Sequence, residues 1–472
     1  MCHVIALVLL ATHASAFAEW RSFSAADFTL LTDLEPGRAA ALIQHLAWFD
    51  QVTAHYIPPA QNPATGLRIV VFAQRKSFER VVNQQHFAAY TQPGLADTTL
   101  VVGPDPSGDV TENSLHEYVH YRLRTQAIGY PMWYEEGMAT LLSTTSFQGT
   151  PTQRTALVGQ RLSRRLTHQP VSMPPLQKLV TQTNIDGWSL PRIAGFYKQS
   201  ARLLRFFLYG PQLGFTDHRD AVDAFVANQG QELFTALSTT PAELTEELEQ
   251  FNRIRSKPFE RFDIEPTRPN TLTRNALSEE EVTLLWAQTA QQPNPQYARR
   301  LFRRLSKANP DDPRYWAWLS RATMQRSADD AERYLANATR LAPQHPEVLI
   351  QQAVLQLRNC PMDQSLLCLD TWHAARGPLR QALRADPDHF EAILWLGITE
   401  LYGGNPGGAI SYLRIAHNRA PWSPRVNFHV GECLRLMGNP RAEAHLRQAH
   451  AWARDPDLKQ LSQLALDAWH SS

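Results

Sequence analysis

Apolar positions recur with two different periods along this chain, and the change of period divides it. Over residues 20–110, short apolar runs predict strands at 27–31, 68–72 and 99–102. Between the first two, residues 38–56 carry Ala41, Leu42, His45, Leu46, Phe49 and Val52 at helical spacing. Gly103-Pro104 and Pro106-Ser107-Gly108 end the last strand. This predicts an α+β segment with a small sheet. Residues 111–255 read as mostly helical. Residues 256–277 are polar and proline-containing and read as a linker, after which Ser278 and Glu281 form a capping box that opens a new helix.

From there on the pattern repeats. Asn309-Pro310, Ala342-Pro343, Asp386-Pro387, Ala420-Pro421 and Asp455-Pro456 each end a helix-like stretch, and their prolines lie 33, 44, 34 and 35 residues apart. Small and bulky residues hold fixed offsets before each proline: Ala298, Phe302 and Leu305; Ala331, Leu335 and Ala338; Ala375, Leu379 and Ala382; Ala409, Leu413 and Ala416. Alanine lets two helices of a hairpin approach, and the larger residue fills the next groove. A period near 34 with such offsets resembles the tetratricopeptide repeat over roughly 279–470, with five units and a terminal helix. The 44-residue unit carries an insertion of about ten residues. The resemblance implies an all-α solenoid whose concave surface takes a protein partner. Trp316, Trp318, Trp395, Trp422 and Trp452 are expected to pack between its helices.

Composition narrows the picture. The 472 residues exceed one ordinary domain. A hydrophobic content of 43% supports packed cores, and a net charge of +1 gives no basic excess that would point to nucleic acid. An apolar run from Val4 to Ala11 precedes Ala14-Ser15-Ala16 and Ala16-Phe17-Ala18, which predicts a signal peptide over 1–18 and an exported chain, periplasmic or secreted. The n-region departs from that pattern, having no Lys or Arg. No later stretch approaches the roughly 20 apolar residues of a membrane span. Cys360 and Cys368 are near enough in sequence to close a small loop, and a disulfide between them is expected; Cys433 is left over.

The chemistry lies in His116-Glu117-Tyr118-Val119-His120, an HExxH motif. On a helix the two imidazoles share one face and can bind one Zn²⁺. Glu117, turned about 100° from His116, sits beside the metal rather than on it, placed to take a proton from the attacking water.

Zinc needs a third protein ligand and an open fourth position. Downstream, Trp133-Tyr134-Glu135-Glu136-Gly137-Met138-Ala139 resembles the Trp-x-x-Glu-Gly-x-Ala motif of gluzincins. That resemblance makes Glu136 the third ligand, on a second helix packed against the first, with Gly137 and Ala139 expected to let the two come close. Glu135 is the neighbour most easily mistaken for the ligand. Metzincins are excluded, because Leu123 and Gln126 stand where they need Gly and His, and no Asp occurs between Asp109 and Asp186. Residues 19–255 thus resemble the peptidase-MA-like gluzincins at two motifs. The spacer of fifteen residues between His120 and Glu136 is shorter than in the best-known members. The segment Phe196-Tyr197-Lys198-Gln199-Ser200 resembles a Tyr-x-Gln-Ser stretch of the same group, making Tyr197 the expected donor to the developing oxyanion, ahead of Tyr121 and Tyr134. Glu112, one turn before His116, is a candidate to orient its ring.

The expected protein is a zincin-like α+β catalytic region (19–255), a linker (256–277) and a helical array (278–472). It would hydrolyse peptide or protein substrates through Zn²⁺ on His116, His120 and Glu136. The rival expectation is a scaffold that binds protein through its repeats and carries a vestigial zinc domain.

Overall fold

The structure is a computed structural model. It describes residues 19–471 apart from 26–27, 59–66, 84–88, 94–97, 127–128, 151–152, 162–170, 186, 228–231, 267–272, 361–366 and 454. The expected signal peptide lies outside the described residues.

Three parallel strands form the centre of the N-terminal part: β2 (Phe28–Thr32), β3 (Leu67–Val71) and β5 (Thr98–Val102). They coincide closely with the three predicted apolar runs. Helix α1 (Pro36–Tyr56) crosses from β2 to β3, and α2 (Arg75–Val82) follows β3. Antiparallel strands extend both sides, giving the order β4-β5-β3-β2-β1-β9, with β1 at Arg21–Ser24, β4 at Ala89–Pro93 and β9 at Thr273–Ala276. A second sheet, β6-β7-β8, joins Ser146–Thr150, Gln153–Val158 and Glu260–Ile264.

The two-residue period of the strands sorts their side chains into two cores. Leu30, Ile69, Val71, Leu100 and Val102 pack with α1 and with α3 (Thr111–Arg124). Leu31, Val70, Phe72 and Val101 pack on the other side with Phe78 of α2 and with Trp286 and Phe302 of the first helix pair of the C-terminal array. Parallel strands need cover on both faces, and here the array supplies one of the covers. Trp286 is central, its ring 6.0 Å from Phe72 and 6.1 Å from Trp20. Trp286→Ala is expected to destabilise the protein by about 3–5 kcal/mol and to move the unfolding of sheet and array together in a denaturant titration. A shift confined to the helical signal would mean that the two parts do not share this core.

Where the polar stretch 256–277 reads as a linker, the structure has two strands. β8 pairs with β7, and β9 completes the six-stranded sheet beside β1. Both are outermost strands with largely polar residues, so no apolar run betrays them. The capping box that opens the array forms as expected: the Glu281 amide donates to Ser278 Oγ at 3.2 Å, and the Ser278 amide donates to Glu281 Oε2 at 2.7 Å.

The array is five antiparallel helix pairs and a last helix. The pairs are Glu279–Ala290 with Pro295–Ala308, Pro313–Thr323 with Ala328–Leu341, Pro346–Gln356 with Leu369–Ala385, Phe390–Tyr402 with Pro406–Arg419, and Pro424–Leu436 with Ala442–Trp452. Pro456–His470 closes it. Ala298, Ala331, Ala375 and Ala409, the small residues of the repeat, are all fully buried. Close approach within a pair is clearest at Gly431, where a Cβ would lie 2.7 Å from Leu446 Cγ. Cys360 and Cys368 are not bonded. Both are free thiols, and burial raises the Cys360 thiol. The last helix turns back to the N-terminal part, where Lys459 Nζ donates to the carbonyl of Thr183 at 3.4 Å. No helix among the described residues is long and apolar enough to cross a membrane.

Candidate metal centre

Helix α3 leaves the end of β5 through the turn at 105–109 and is fixed on several sides. Asp109 Oδ1 accepts from the Thr111 amide at 2.9 Å, and Asn113 Nδ2 donates to the Gly103 carbonyl at 2.9 Å. On the α1 side, Asp50 Oδ1 accepts from both Tyr118 Oη (2.7 Å) and Arg122 Nη1 (2.8 Å). These contacts set the helix rotation, which carries His116 and His120 to one face and buries both Glu117 and His120.

Helix α4 (Met132–Leu142) supplies the acidic partners. Gly137 has a different neighbour from the one expected. A Cβ there would lie 2.7 Å from Leu204 Cδ1 and 2.9 Å from the Ser200 carbonyl oxygen, so the glycine seats α4 against the helix Leu190–Tyr209, not against α3. The consequence for the site is the same: α4 is held at a fixed depth with Glu136 directed at α3.

Three donor atoms converge. His116 Nε2 and His120 Nε2 are 3.3 Å apart, and Glu136 Oε2 lies 3.3 Å from the first and 3.4 Å from the second. A tetrahedral ion about 2.0–2.1 Å from each donor separates the donors by about 3.4 Å, so the triangle fits zinc. Glu136 Oε2 is buried and makes no hydrogen bond despite the two nitrogens around it. An oxygen so placed is aimed at a common point and not along either N–H direction. Two nitrogens and one oxygen form the donor set of a catalytic zinc site with its fourth position open. Burial alone would raise the Glu136 carboxyl, but the His120 and His116 imidazoles outweigh it and hold it well below the usual carboxylate range. Burial likewise pushes His120 down, while the carboxylates of Glu136, Glu117 and Glu135 outweigh that and raise it.

Around this triangle stand residues of two kinds. Glu117 is fastened by Thr91 of β4, whose hydroxyl donates to Glu117 Oε2 at 2.8 Å. Tyr197, on the Leu190–Tyr209 helix, stacks on the His116 ring with centroids 5.9 Å apart. Tyr134 stacks instead on Tyr130, and Tyr121 lies against Tyr118. A carboxylate also approaches the second nitrogen of a ligand imidazole: Glu135 Oε2 lies 3.9 Å from His120 Nδ1. Sequence reasoning missed Thr91 altogether, since it sits on an unpredicted strand far from the motif. It named Glu135 without a role, although a second acid beside the ligand was itself the signal.

No family model matches the sequence, and no curated protein matches it. Three solved structures show what the chain is similar to. A thermophilic tetratricopeptide protein from Thermus thermophilus is 21% identical, with 40% of this chain and 98% of that chain covered at a TM-score of 0.33. MamA is 17% identical over 36% of this chain and 89% of that one, with a TM-score of 0.26. PilW, described as a widely conserved type IV pilus biogenesis factor, is 16% identical over 41% and 92%, with a TM-score of 0.30.

Proposed function

We propose that this chain is an exported zinc-dependent peptidase, and that Glu117 is its general base. The observation that carries the reading is the triangle of His116, His120 and Glu136 with a fourth acid, Glu117, next to it on the same helix as the two histidines. Zinc, when bound, would polarise the scissile carbonyl and make the attacking water more acidic. Glu117 accepts that water's proton and returns it to the leaving amine. Thr91 keeps the Glu117 carboxylate turned to its task, since a donated hydrogen bond fixes which oxygen stays available. Tyr197, stacked on His116, is the phenol best placed to donate to the developing oxyanion.

A second reading is favoured by the C-terminal half. Five helix pairs, closed by a last helix that reaches Thr183, form a surface suited to protein binding, and a scaffold role would need no metal. One experiment separates the two. The purified full-length protein is expected to contain one zinc per chain and to cleave an unfolded protein, with cleavage abolished by a chelator and restored by added zinc. A protein that binds no zinc and cleaves nothing leaves the scaffold reading standing alone.

A further inference from the structure

The helix Leu190–Tyr209 does more than carry Tyr197 to His116. Turned about 100° from Tyr197, Lys198, Arg202 and Arg205 share one side of it, set at i, i+4 and i+7. Lys257 approaches that side from just beyond the helix Pro241–Arg253. Its ammonium is fastened there, donating to the carbonyl of Asn252 at 3.1 Å and to that of Ile254. Arg205 and Arg202 stand near enough for their charges to add to burial in pushing the Lys257 ammonium down. Another wall is the segment Ser172–Met173. It lies tight on the helix because residue 195 is glycine: a Cβ there would be 2.0 Å from the Ser172 carbonyl oxygen.

The charges gathered here have no counter-charge. Arg205 is 8% exposed, and its Nε is sealed from solvent without a hydrogen bond, as is that of Arg202. Arg202 Nη1 reaches only Met173 Sδ, at 3.0 Å, a weak acceptor. Among the described residues no carboxylate pairs with Lys198, Arg202, Arg205 or Lys257. Past Arg205 comes the phenol of Tyr209, raised above its usual range chiefly by burial and so neutral. Glu260, whose charge reaches Tyr209, accepts from the Tyr56 hydroxyl instead. A cation taken out of water without a partner is costly, and such groups mark sites where a ligand brings the missing charge.

The arrangement also says which charge. A single carboxylate would neutralise one guanidinium and leave its neighbour uncompensated. A tetrahedral oxyanion near charge −2 offers edges to both guanidinium forks and a further oxygen to an ammonium. We propose that Arg202, Arg205 and Lys257, with Lys198 beside them, form a binding site for a phosphoryl group, either free inorganic phosphate or a phosphate monoester on a larger molecule. None of these residues belongs to the metal triangle, and the site does not depend on the peptidase reading.

The test is isothermal titration of the full-length protein with inorganic phosphate, phenyl phosphate and acetate, in chloride buffer at matched ionic strength. Phosphate is expected to bind at one site and acetate at least about tenfold more weakly. Phenyl phosphate binding as tightly as phosphate assigns the site to a monoester, and binding of phosphate alone assigns it to the free anion; either result supports the proposal. Arg205→Met is expected to lower phosphate affinity at least about tenfold. In phosphate-free buffer it should unfold no earlier than wild type, because an apolar chain then replaces an unpaired buried charge. The more exposed Lys257→Gln gives an independent reading, with affinity down about twofold to fivefold. Prior removal of metal by a chelator, followed by dialysis, is expected to leave phosphate binding unchanged. Binding lost on that treatment would place the anion on the metal and overturn the proposal. So would no phosphate binding by the wild type, acetate binding as tightly as phosphate, or an affinity unaltered in either variant. A protein that binds no zinc and cleaves nothing, yet binds phosphate through Arg205, would end the peptidase reading and leave this site standing.

Discussion

Glu117→Gln is expected to retain its zinc and to lose about 10²–10⁴-fold in kcat for peptide hydrolysis. The substitution changes almost nothing but basicity. Glutamine has the same length, and its side-chain oxygen can accept the Thr91 hydroxyl as Glu117 Oε2 does at 2.8 Å. The side chain is 6% exposed, so water has little room to replace the lost carboxylate as proton acceptor. The metal triangle uses the other three side chains, which explains why zinc content should stay at the wild-type value. Loss of zinc together with rate would show that Glu117 supports the site structurally. An unchanged rate with zinc in place would move the base elsewhere in the molecule.

The parts of this fold that were legible share one property: burial that is regular in sequence. β3 and β5 are covered on both faces, so Ile69-Val70-Val71 and Leu100-Val101-Val102 appear as unbroken apolar runs. The array was legible because each hairpin solves the same packing problem with the same small and large residues at the same offsets. HExxH was legible because four residues on a helix make one turn. The antiparallel outer strands were not, because their residues answer to a neighbour distant in sequence. β9 reaches β1 across some 250 residues, and nothing in Thr273–Ala276 identifies that partner. Gly137 shows the same limit from another side. A small residue announces a close approach, but whether to α3 or to the Leu190–Tyr209 helix is decided by the tertiary fold. Thr91 touches the proposed base only because β4 pairs with β5, a relation that no local signal in Ala89–Pro93 announces.

Glu136→Gln and Glu135→Gln, compared side by side, are expected to separate ligand from support. Glu136 Oε2 is equidistant from the two imidazole nitrogens to within 0.1 Å, at 3.3 and 3.4 Å, while Glu135 Oε2 stands 3.9 Å from the opposite nitrogen of His120. A charged oxygen that completes the donor triangle contributes a bond to the ion. A carboxylate behind the ring contributes only through the tautomer and basicity it imposes on His120. Loss of such a support typically weakens metal affinity by about 10–100-fold. Glu135→Gln should fall in that range by competition with a chromogenic chelator, and Glu136→Gln should fall beyond it, with zinc absent from the purified protein. Glu136→Gln should also leave a buried, weakly binding amide beside two imidazoles. Its folded protein should therefore survive dialysis and circular dichroism with helix content intact while holding no metal. The reverse ranking, with Glu135→Gln the more damaging, would mean that Glu135 turns inward to the ion when the metal is present. The fifteen-residue spacer would then end one residue earlier, and the assignment of Glu136 as ligand would fall.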